Sequence, residues 1–236
     1  MTFAPLQKSR AAIAGLMLCA APSLCAVLLL CAAPAAAEDR SIPGRFDFYV
    51  LALSWSPSYC EAVREREPGQ MPRQCAGRPY SFVVHGLWPQ YENGAPRDCQ
   101  IPPPRLNREI VAGMLDIMPS PRLIYNQWDR HGTCAGLAPQ AYFDKVRQAR
   151  DSVNIPAQFG NLRRPLAVTP DEVERAFIAS NPGLSPRAIA VSCDRTRLSE
   201  VRICMTRDLQ FRDCAEVDRR ACRSERLVMP PIRGGG

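Results

Sequence analysis

The sequence predicts an α+β fold: a single domain with a central antiparallel sheet, flanked by helices and cross-linked by disulfides. Candidate strands and helices lie in separate stretches of the chain, without the strand–helix–strand alternation that indicates a parallel sheet. The length of 236 residues suits one domain or at most two, and an apolar fraction of 46% is enough to build a core. The chain has 11 cysteines, eight of which follow an N-terminal segment typical of exported proteins.

That segment, residues 1–37, has the pattern of a secretory signal peptide, which is removed from the mature protein. Lys8 and Arg10 precede an apolar run over residues 11–33, and alanines stand before residue 38 as a small-residue cleavage site. A transmembrane anchor is the alternative, which the prolines in and after the run disfavour. Cleavage would leave residues 38–236 as one domain with a net charge of +5, periplasmic or secreted and without a membrane span.

The eight remaining cysteines indicate disulfides, since their number is even and the chain is predicted to be exported. They are Cys60, Cys75, Cys99, Cys134, Cys193, Cys204, Cys214 and Cys222. Their spacing alone does not select one pairing. A zinc ribbon is disfavoured because no two of them are two to four residues apart. A zinc site with three or four histidines is excluded, because the chain has only two.

Two buried strands are predicted near the start of the domain. The segments FDFYVLAL (46–53) and YSFVVHGL (80–87) are apolar runs rich in β-branched and aromatic residues. The stretch 61–79 between them is polar and contains proline and glycine, so we expect a loop there, and a second loop over 89–104.

Four helices are predicted in the middle of the chain, each with apolar residues at helical spacing. They are expected to begin at or just after Asn107, Ser120, Pro139 and Thr169. In the second of them, Ser120 suits the N-cap and Pro121 the first turn, and the helix should reach about His131 and stop at Gly132. Strands are predicted again at 187–193 and 201–205, with weaker candidates at 209–211 and 227–229.

The two histidines lie in short segments of similar character. His85 stands in FVVHGLWPQ (82–90) and His131 in NQWDRHGTC (126–134). Each is followed directly by glycine, which we expect to let a large substrate approach the backbone. A single histidine on an apolar strand is more often structural, so that alternative stays open for each residue taken alone.

The second segment concentrates polar groups on one side of its predicted helix. At about 100° per residue, Gln127, Arg130 and His131 fall within one arc, next to an apolar stripe, and Asn126 lies at its edge. An amide, a guanidinium and an imidazole together can bind an anion and transfer a proton. The alternative is an ordinary solvated face.

Two imidazoles and an arginine in a basic, exported protein favour cleavage of RNA. One imidazole can accept a proton while the other donates one, and RNA supplies its own nucleophile, the 2′-hydroxyl. Trp88 and Tyr91 can stack unpaired bases, although packing in the core or at its rim explains them as well. A metal nuclease would need clustered carboxylates, and Asp129 in the second segment points away from the arc.

These segments resemble a known family. FVVHGLWPQ and NQWDRHGTC are similar to the two active-site segments of the ribonuclease T2 family, and FDFYVLALSWSPSYC (46–60) is similar to its first core strand and the following loop. The resemblance extends from about Phe46 to Pro231. It implies the α+β fold of that family and metal-independent cleavage of single-stranded RNA, with low base specificity, through a 2′,3′-cyclic phosphate to 3′-phosphate ends. It further implies a monomer that needs no cofactor and no obligate protein partner.

The resemblance also implies residue roles. The implied catalytic residues are His85, Gln127, Arg130 and His131, and the implied substrate-binding residues are Trp88, Gln90, Tyr91 and Asn126. The family usually has Glu at position 127, Lys at position 130 and often His at position 126. Arg130 keeps the positive charge, whereas Gln127 loses the carboxylate, and the sequence leaves open which histidine is the initial base. The lost carboxylate is the best support for an alternative: an RNA-binding or host-directed module on the same fold, with weakened catalysis.

Disulfide pairing is implied in the same way. The resemblance pairs Cys99 with Cys134, Cys193 with Cys222 and Cys204 with Cys214, and leaves Cys60 with Cys75.

Overall fold

The computed structural model describes residues 41–233, which lie within one compact unit. The signal peptide predicted for residues 1–37 lies outside the described residues. Within 41–233, no helix has the length and apolar character needed to cross a membrane.

Six strands of the described residues form one sheet. They are β1 (Phe48–Trp55), β2 (Phe82–Gln90), β3 (Leu166–Val168), β4 (Ile189–Asp194), β5 (Arg197–Met205) and β6 (Leu227–Met229). Their order is β2-β1-β5-β6-β3, and β4 also pairs with β5. Strand β1 therefore lies between β2 and β5, and this three-stranded part of the sheet carries the site described below.

The predicted α+β fold, with a central sheet flanked by helices, is confirmed; one strand pair differs from the predicted antiparallel arrangement, so the sheet is mixed. Four of the strand pairs are antiparallel, but β6 runs parallel to β5, where Arg197 pairs with Val228. A parallel pair needs a crossover connection, and here the chain passes through a short helix before it returns to the sheet. The crossover was not recognisable from the sequence because β6 has only three residues and that helix only five.

Eight α-helices and a 3₁₀-helix complete the secondary structure of the described residues. They are α1 (Ser56–Arg66), α2 (Arg73–Ala76), α3 (Arg108–Met114), α4 (Pro121–Arg130), α5 (Pro139–Asp151), α6 (Ala157–Gly160), α7 (Pro170–Ser180), α8 (Ala215–Arg219) and the 3₁₀-helix Gly132–Ala135. The four predicted helices, α3, α4, α5 and α7, are confirmed. The side chains of Asn107, Ser120 and Thr169 accept hydrogen bonds from backbone N–H groups of the first turn, as N-caps do.

The predicted loop over 61–79 is wrong in part, because α1 extends into it and α2 lies within it. Helix α1 is polar, and Val63 is its only buried residue beyond the first turn. It therefore lacks the apolar stripe from which a helix is predicted. The Cys60–Cys75 disulfide links α1 to α2, and Gln74 Nε2 donates a buried hydrogen bond of 2.9 Å to Ser56 Oγ. These contacts are tertiary, which is why the local pattern did not predict the helices.

The two faces of the sheet carry apolar clusters of different size. Side chains alternate along β1, so Tyr49 and Leu51 join the main core, to which the helices contribute Trp128, Tyr142 and other buried residues. Phe48 and Val50 point to the opposite face and join a small cluster against which Trp88 packs. The small cluster is the floor of the candidate site.

Four disulfides occur in the described residues: Cys60–Cys75, Cys99–Cys134, Cys193–Cys222 and Cys204–Cys214. These are the pairs that the family resemblance implies. Two of them bear on the site. Cys99–Cys134 attaches the loop after β2 to the 3₁₀-helix that follows His131, and Cys204–Cys214 lies in the small apolar cluster.

Candidate active site

A β-bulge in β2 brings His85 to the same face of the sheet as Trp88. Ala52 of β1 pairs with Gly86 and Leu53 pairs with Val84, so His85 is an extra residue with no partner of its own in β1. In a regular strand, residues three apart point to opposite faces, and a bulge changes that alternation. His85 and Trp88 are consequently both half-buried on the site face, while the core residues of β2 stay on the other face.

The end of helix α4 positions His131. The residue is the C-cap, with a non-helical backbone at φ −124° and ψ −44°. Buried Ile124 and Trp128 hold the helix against the core, as predicted from the apolar stripe. A Cβ at Gly132 would overlap the rings of Trp128 and Tyr142. Gly132 therefore permits close packing of protein side chains, which corrects the expectation that it admits a substrate.

The indole of Trp88 lies near both imidazoles. Its ring centroid lies 5.2 Å from that of His85, at 80°, and 5.4 Å from that of His131, at 34°. Trp88 Nε1 donates a 2.7 Å hydrogen bond to Gln127 Oε1. A Cβ at Gly86 would overlap both of these atoms, so Gly86 makes room for this hydrogen bond rather than for a substrate. The indole is thus held in place by α4.

His131 is deeply buried and is held in its neutral form. Burial, together with the weaker effect of the positive charges of Arg97, Arg130 and His85, lowers the pKa of His131 from 6.5 to about 3. Its Nδ1 is buried and has no hydrogen-bond partner among residues 41–233. A neutral imidazole can accept a proton, so the free site contains a base.

His85 has a carboxylate partner that sequence reasoning missed. Its Nδ1 is in hydrogen-bond contact with Oε1 of Glu200, a buried residue of β5. Burial raises the pKa of Glu200, but the hydrogen bond and charge of His85, together with Arg202, outweigh this and hold the pKa at about 2. Glu200 is therefore ionised at neutral pH. A signal for it existed in the sequence, because Glu200 and Arg202 are charged residues that alternate with the apolar residues of β5.

The other residues predicted to form the site are only partly brought together. Gln127 is buried, and its Oε1 is used by Trp88, whereas Asn126 and Arg130 are exposed on α4. A cavity of about 390 Å³ adjoins the site; the predicted residues among its lining are Trp88, Gln90, Tyr91 and His131. His85, Asn126, Gln127 and Arg130 do not line it.

The lining also includes residues that sequence reasoning did not single out. Arg97 comes from the loop after β2 and Arg202 from β5, and the Arg202 guanidinium lies 5.5 Å from the Trp88 ring centroid. Glu216 lines the cavity too, in an ion pair with Arg220. Within 41–233, no three side chains of His, Cys, Asp or Glu converge as a metal site would require.

This arrangement suits proton transfer at an anionic ester. Arginines attract the anion, the neutral imidazole of His131 can take up a proton, and the imidazole of His85 is in contact with a carboxylate. A bound anionic ester would bring negative charge near His131 and so raise the pKa of this base toward neutral pH.

Known ribonucleases are similar to this chain in sequence. The profile of the ribonuclease T2 family matches residues 46–214. A probable ribonuclease of Haemophilus influenzae is 33% identical over 178 residues, which are 71% of this chain and 61% of that protein. A ribonuclease of Aeromonas hydrophila is 33% identical over 135 residues, 57% of this chain and 59% of that protein. The chain thus spans about six-tenths of the length of these relatives.

Solved structures share the fold. RNase NT, in complex with 5′-AMP, superposes with a TM-score of 0.62 at 24% identity, over 79% of this chain and 99% of that chain. An RNase-related protein from Calystegia sepium gives a TM-score of 0.64 at 18% identity, over 80% and 98%.

Proposed function

This chain belongs to the ribonuclease T2 family, and on that premise we propose that it is an endoribonuclease that cleaves single-stranded RNA without a metal ion. The observation that carries the proposal is the pair of imidazoles beside Trp88 with opposite surroundings. His131 is buried near arginines and neutral, while His85 contacts the ionised carboxylate of Glu200.

In the proposed first step, His131 is the base and His85 the acid. His131 takes the proton of the 2′-hydroxyl, and the 2′-oxygen forms a bond to phosphorus. The bond from phosphorus to the 5′-oxygen breaks, and His85 donates a proton to that leaving oxygen. The products are a 2′,3′-cyclic phosphate and a free 5′-hydroxyl. Both imidazoles have then exchanged their protonation states.

The second step restores the two histidines. His85 takes a proton from water, the water oxygen attacks phosphorus, and His131 returns its proton to the departing 2′-oxygen. The product is a 3′-phosphate. General acid–base catalysis of this kind contributes about 10²–10⁴-fold per group.

The remaining predicted residues bind the substrate in this proposal. Arg130 attracts the phosphate, and Gln127 donates a hydrogen bond from the amide nitrogen that Trp88 does not use. Asn126 contacts the RNA from the exposed side of α4. Gln90 and Tyr91 line the cavity in which a base can lie. Stacking on aromatic rings accepts every base, which supports low base specificity.

We further propose that residues 38–236 act as a monomer in the periplasm or outside the cell, after removal of residues 1–37. Four disulfides support an oxidising compartment. A second candidate is RNA binding with weakened catalysis. Its support is the uncharged Gln127, whose Oε1 is occupied by Trp88.

One assay separates these functions. For this assay, the protein is expressed with export to an oxidising compartment and purified with its disulfides intact. It is then incubated with an RNA oligomer and with DNA of the same sequence, with and without a chelator. We expect RNA alone to be cut, with or without chelator, and mass spectrometry to detect the 2′,3′-cyclic phosphate first. His85→Ala and His131→Ala should each lower turnover by about 10²–10⁴-fold. Binding without cutting would support the second candidate, and a chelator-sensitive reaction would refute the metal-independent mechanism.

A further inference from the structure

The site face of the sheet is built so that side chains from β2 and β5 meet above β1. On that face, β1 carries Ala52 and Ser54, which pair with Arg202 and Glu200 of β5. Because the side chains of Ala52 and Ser54 are small, they leave space above β1 for side chains of the two flanking strands, β2 and β5. His85 reaches across this space to Glu200, and Ser54 Oγ donates a 3.2 Å hydrogen bond to the same carboxylate.

Glu200 is an unusual residue for the centre of this sheet. Only 8% of its side chain is exposed, and burying a carboxylate is unfavourable unless it is paired and hydrogen-bonded. Its two oxygens have three partners, of which Ser54 and His85 share Oε1. Oε1 contacts His85, and Oε2 accepts hydrogen bonds of 3.1 and 2.9 Å from Arg202.

Apart from Glu216, the other charged residues that line the cavity beside His131 or lower its pKa are positive. Arg202 of β5 faces Glu200, and His131 at the end of α4 lies near the positive charges of Arg97 and Arg130. Glu216 of α8, which also lines the cavity, is engaged by Arg220 and by the N–H of Gly94. Among the described residues, Glu200 is the acidic residue that forms an ion pair with a histidine.

We propose that Glu200 is a positioning residue for the reaction: it holds the His85 ring by Nδ1 and favours its imidazolium form, so that His85 is the acid while His131 stays the base. This inference rests on the proposed function. Without a negative charge here, the arginines would favour the neutral form of both imidazoles, and the acid would be lost. The contact also keeps a proton on Nδ1, which leaves Nε2 as the nitrogen that exchanges protons with the substrate.

Three substitutions separate the charge of Glu200 from its shape. Glu200→Gln keeps an oxygen that accepts from Nδ1 but removes the charge, Glu200→Ala removes both, and Glu200→Asp keeps the charge. The matched control is Glu65→Gln, which removes a carboxylate of α1 that pairs with Arg197 at the start of the same strand, rather than with a histidine. Arg202→Gln, alone and combined with Glu200→Gln, tests whether release of Arg202 causes any effect.

The first measurement is the pH dependence of turnover on a dinucleotide. An acid must be protonated to act, so the alkaline limb of the profile reports its charge. In Glu200→Gln we expect that limb to move to lower pH by about 1–3 units, the usual effect of an opposite charge at this range, with KM within about twofold. The same shift should appear in the Arg202→Gln background. Glu200→Asp should restore part of the wild-type profile, and Glu65→Gln should match the wild type.

The second measurement does not need activity. The chain has only two histidines, so carbon-13 NMR of the imidazole groups gives two signals, assigned with the His→Ala variants. We expect the His85 signal to titrate at lower pH in Glu200→Gln than in the wild type, and to be unchanged in Glu65→Gln. An unchanged rate profile or an unchanged signal in a folded Glu200→Gln protein would overturn the inference. A wild-type protein that does not cut RNA would instead overturn the proposed function, while the NMR titration still tests the coupling.

Discussion

One methyl group at Gly86 should displace the indole of Trp88, which lies near both imidazoles. A Cβ at this position would overlap Gln127 Oε1 and Trp88 Nε1, the two atoms that share a hydrogen bond. Gly86 is not among the glycines with positive φ, so backbone strain does not contribute. We predict that Gly86→Ala breaks this hydrogen bond and moves Trp88.

The expected magnitude follows from these contacts. Loss of a part-buried hydrogen bond destabilises a protein by about 1 kcal/mol. Insertion of a methyl group into a packed site adds about 1–3 kcal/mol. Gly86→Ala should therefore lower the free energy of unfolding by about 2–4 kcal/mol. Turnover should fall by about 10²-fold, which is the effect of misplacing catalytic groups by about 1 Å.

A double-mutant cycle tests this reasoning. Urea unfolding and turnover are measured for Gly86→Ala, Gln127→Ala and the double variant. Because Gln127→Ala removes an atom that the new methyl group meets, the double variant should be less destabilised than the two single effects predict, by about 1 kcal/mol. The control is Gly113→Ala in α3, where a Cβ meets nothing within 4 Å and alanine should stabilise the helix by about 0.5–1 kcal/mol. Strictly additive effects, or a Gly86→Ala protein as stable and active as the wild type, would refute the proposed contact.

Two further predictions concern His131. Its pKa of about 3 in the free protein should rise by about 1–3 units when a nucleoside 3′-monophosphate binds, because the negative charge of the phosphate opposes the positive charges of the nearby arginines. NMR titration with and without the nucleotide measures this pKa. An unchanged value would contradict the assignment of His131 as the base. Acid should also destabilise the fold through this residue, since a folded pKa near 3 lies below the unfolded value of 6.5. The contribution is present above pH 6.5 and is lost as pH falls toward 3, so urea unfolding between these values should show a steeper pH dependence for the wild type than for His131→Gln; parallel curves would contradict it.

Much of the fold was predictable because its signals are local. Ser120 and Thr169 accept hydrogen bonds from N–H groups three residues further along the chain, so the cap and its helix lie in one stretch of sequence. The apolar runs of β1, β2 and β5 likewise predict strands, with bounds displaced by up to four residues from the observed ones. Helices α1 and α2 were missed because a disulfide and buried polar contacts, rather than an apolar stripe, hold them.

The sequence by itself determined the class of fold, helices α3, α4, α5 and α7 and the two histidine segments, because caps, apolar periodicity and short motifs involve neighbouring residues. Only the tertiary structure decided how the histidines differ. The bulge that turns His85 toward Trp88 depends on the register of β2 against β1, and its partner Glu200 is 115 residues away in the chain. The reasons for Gly86 and Gly132 also lie in side chains from other elements. Strand register and contacts between distant segments arise from packing, which has no local pattern in the sequence.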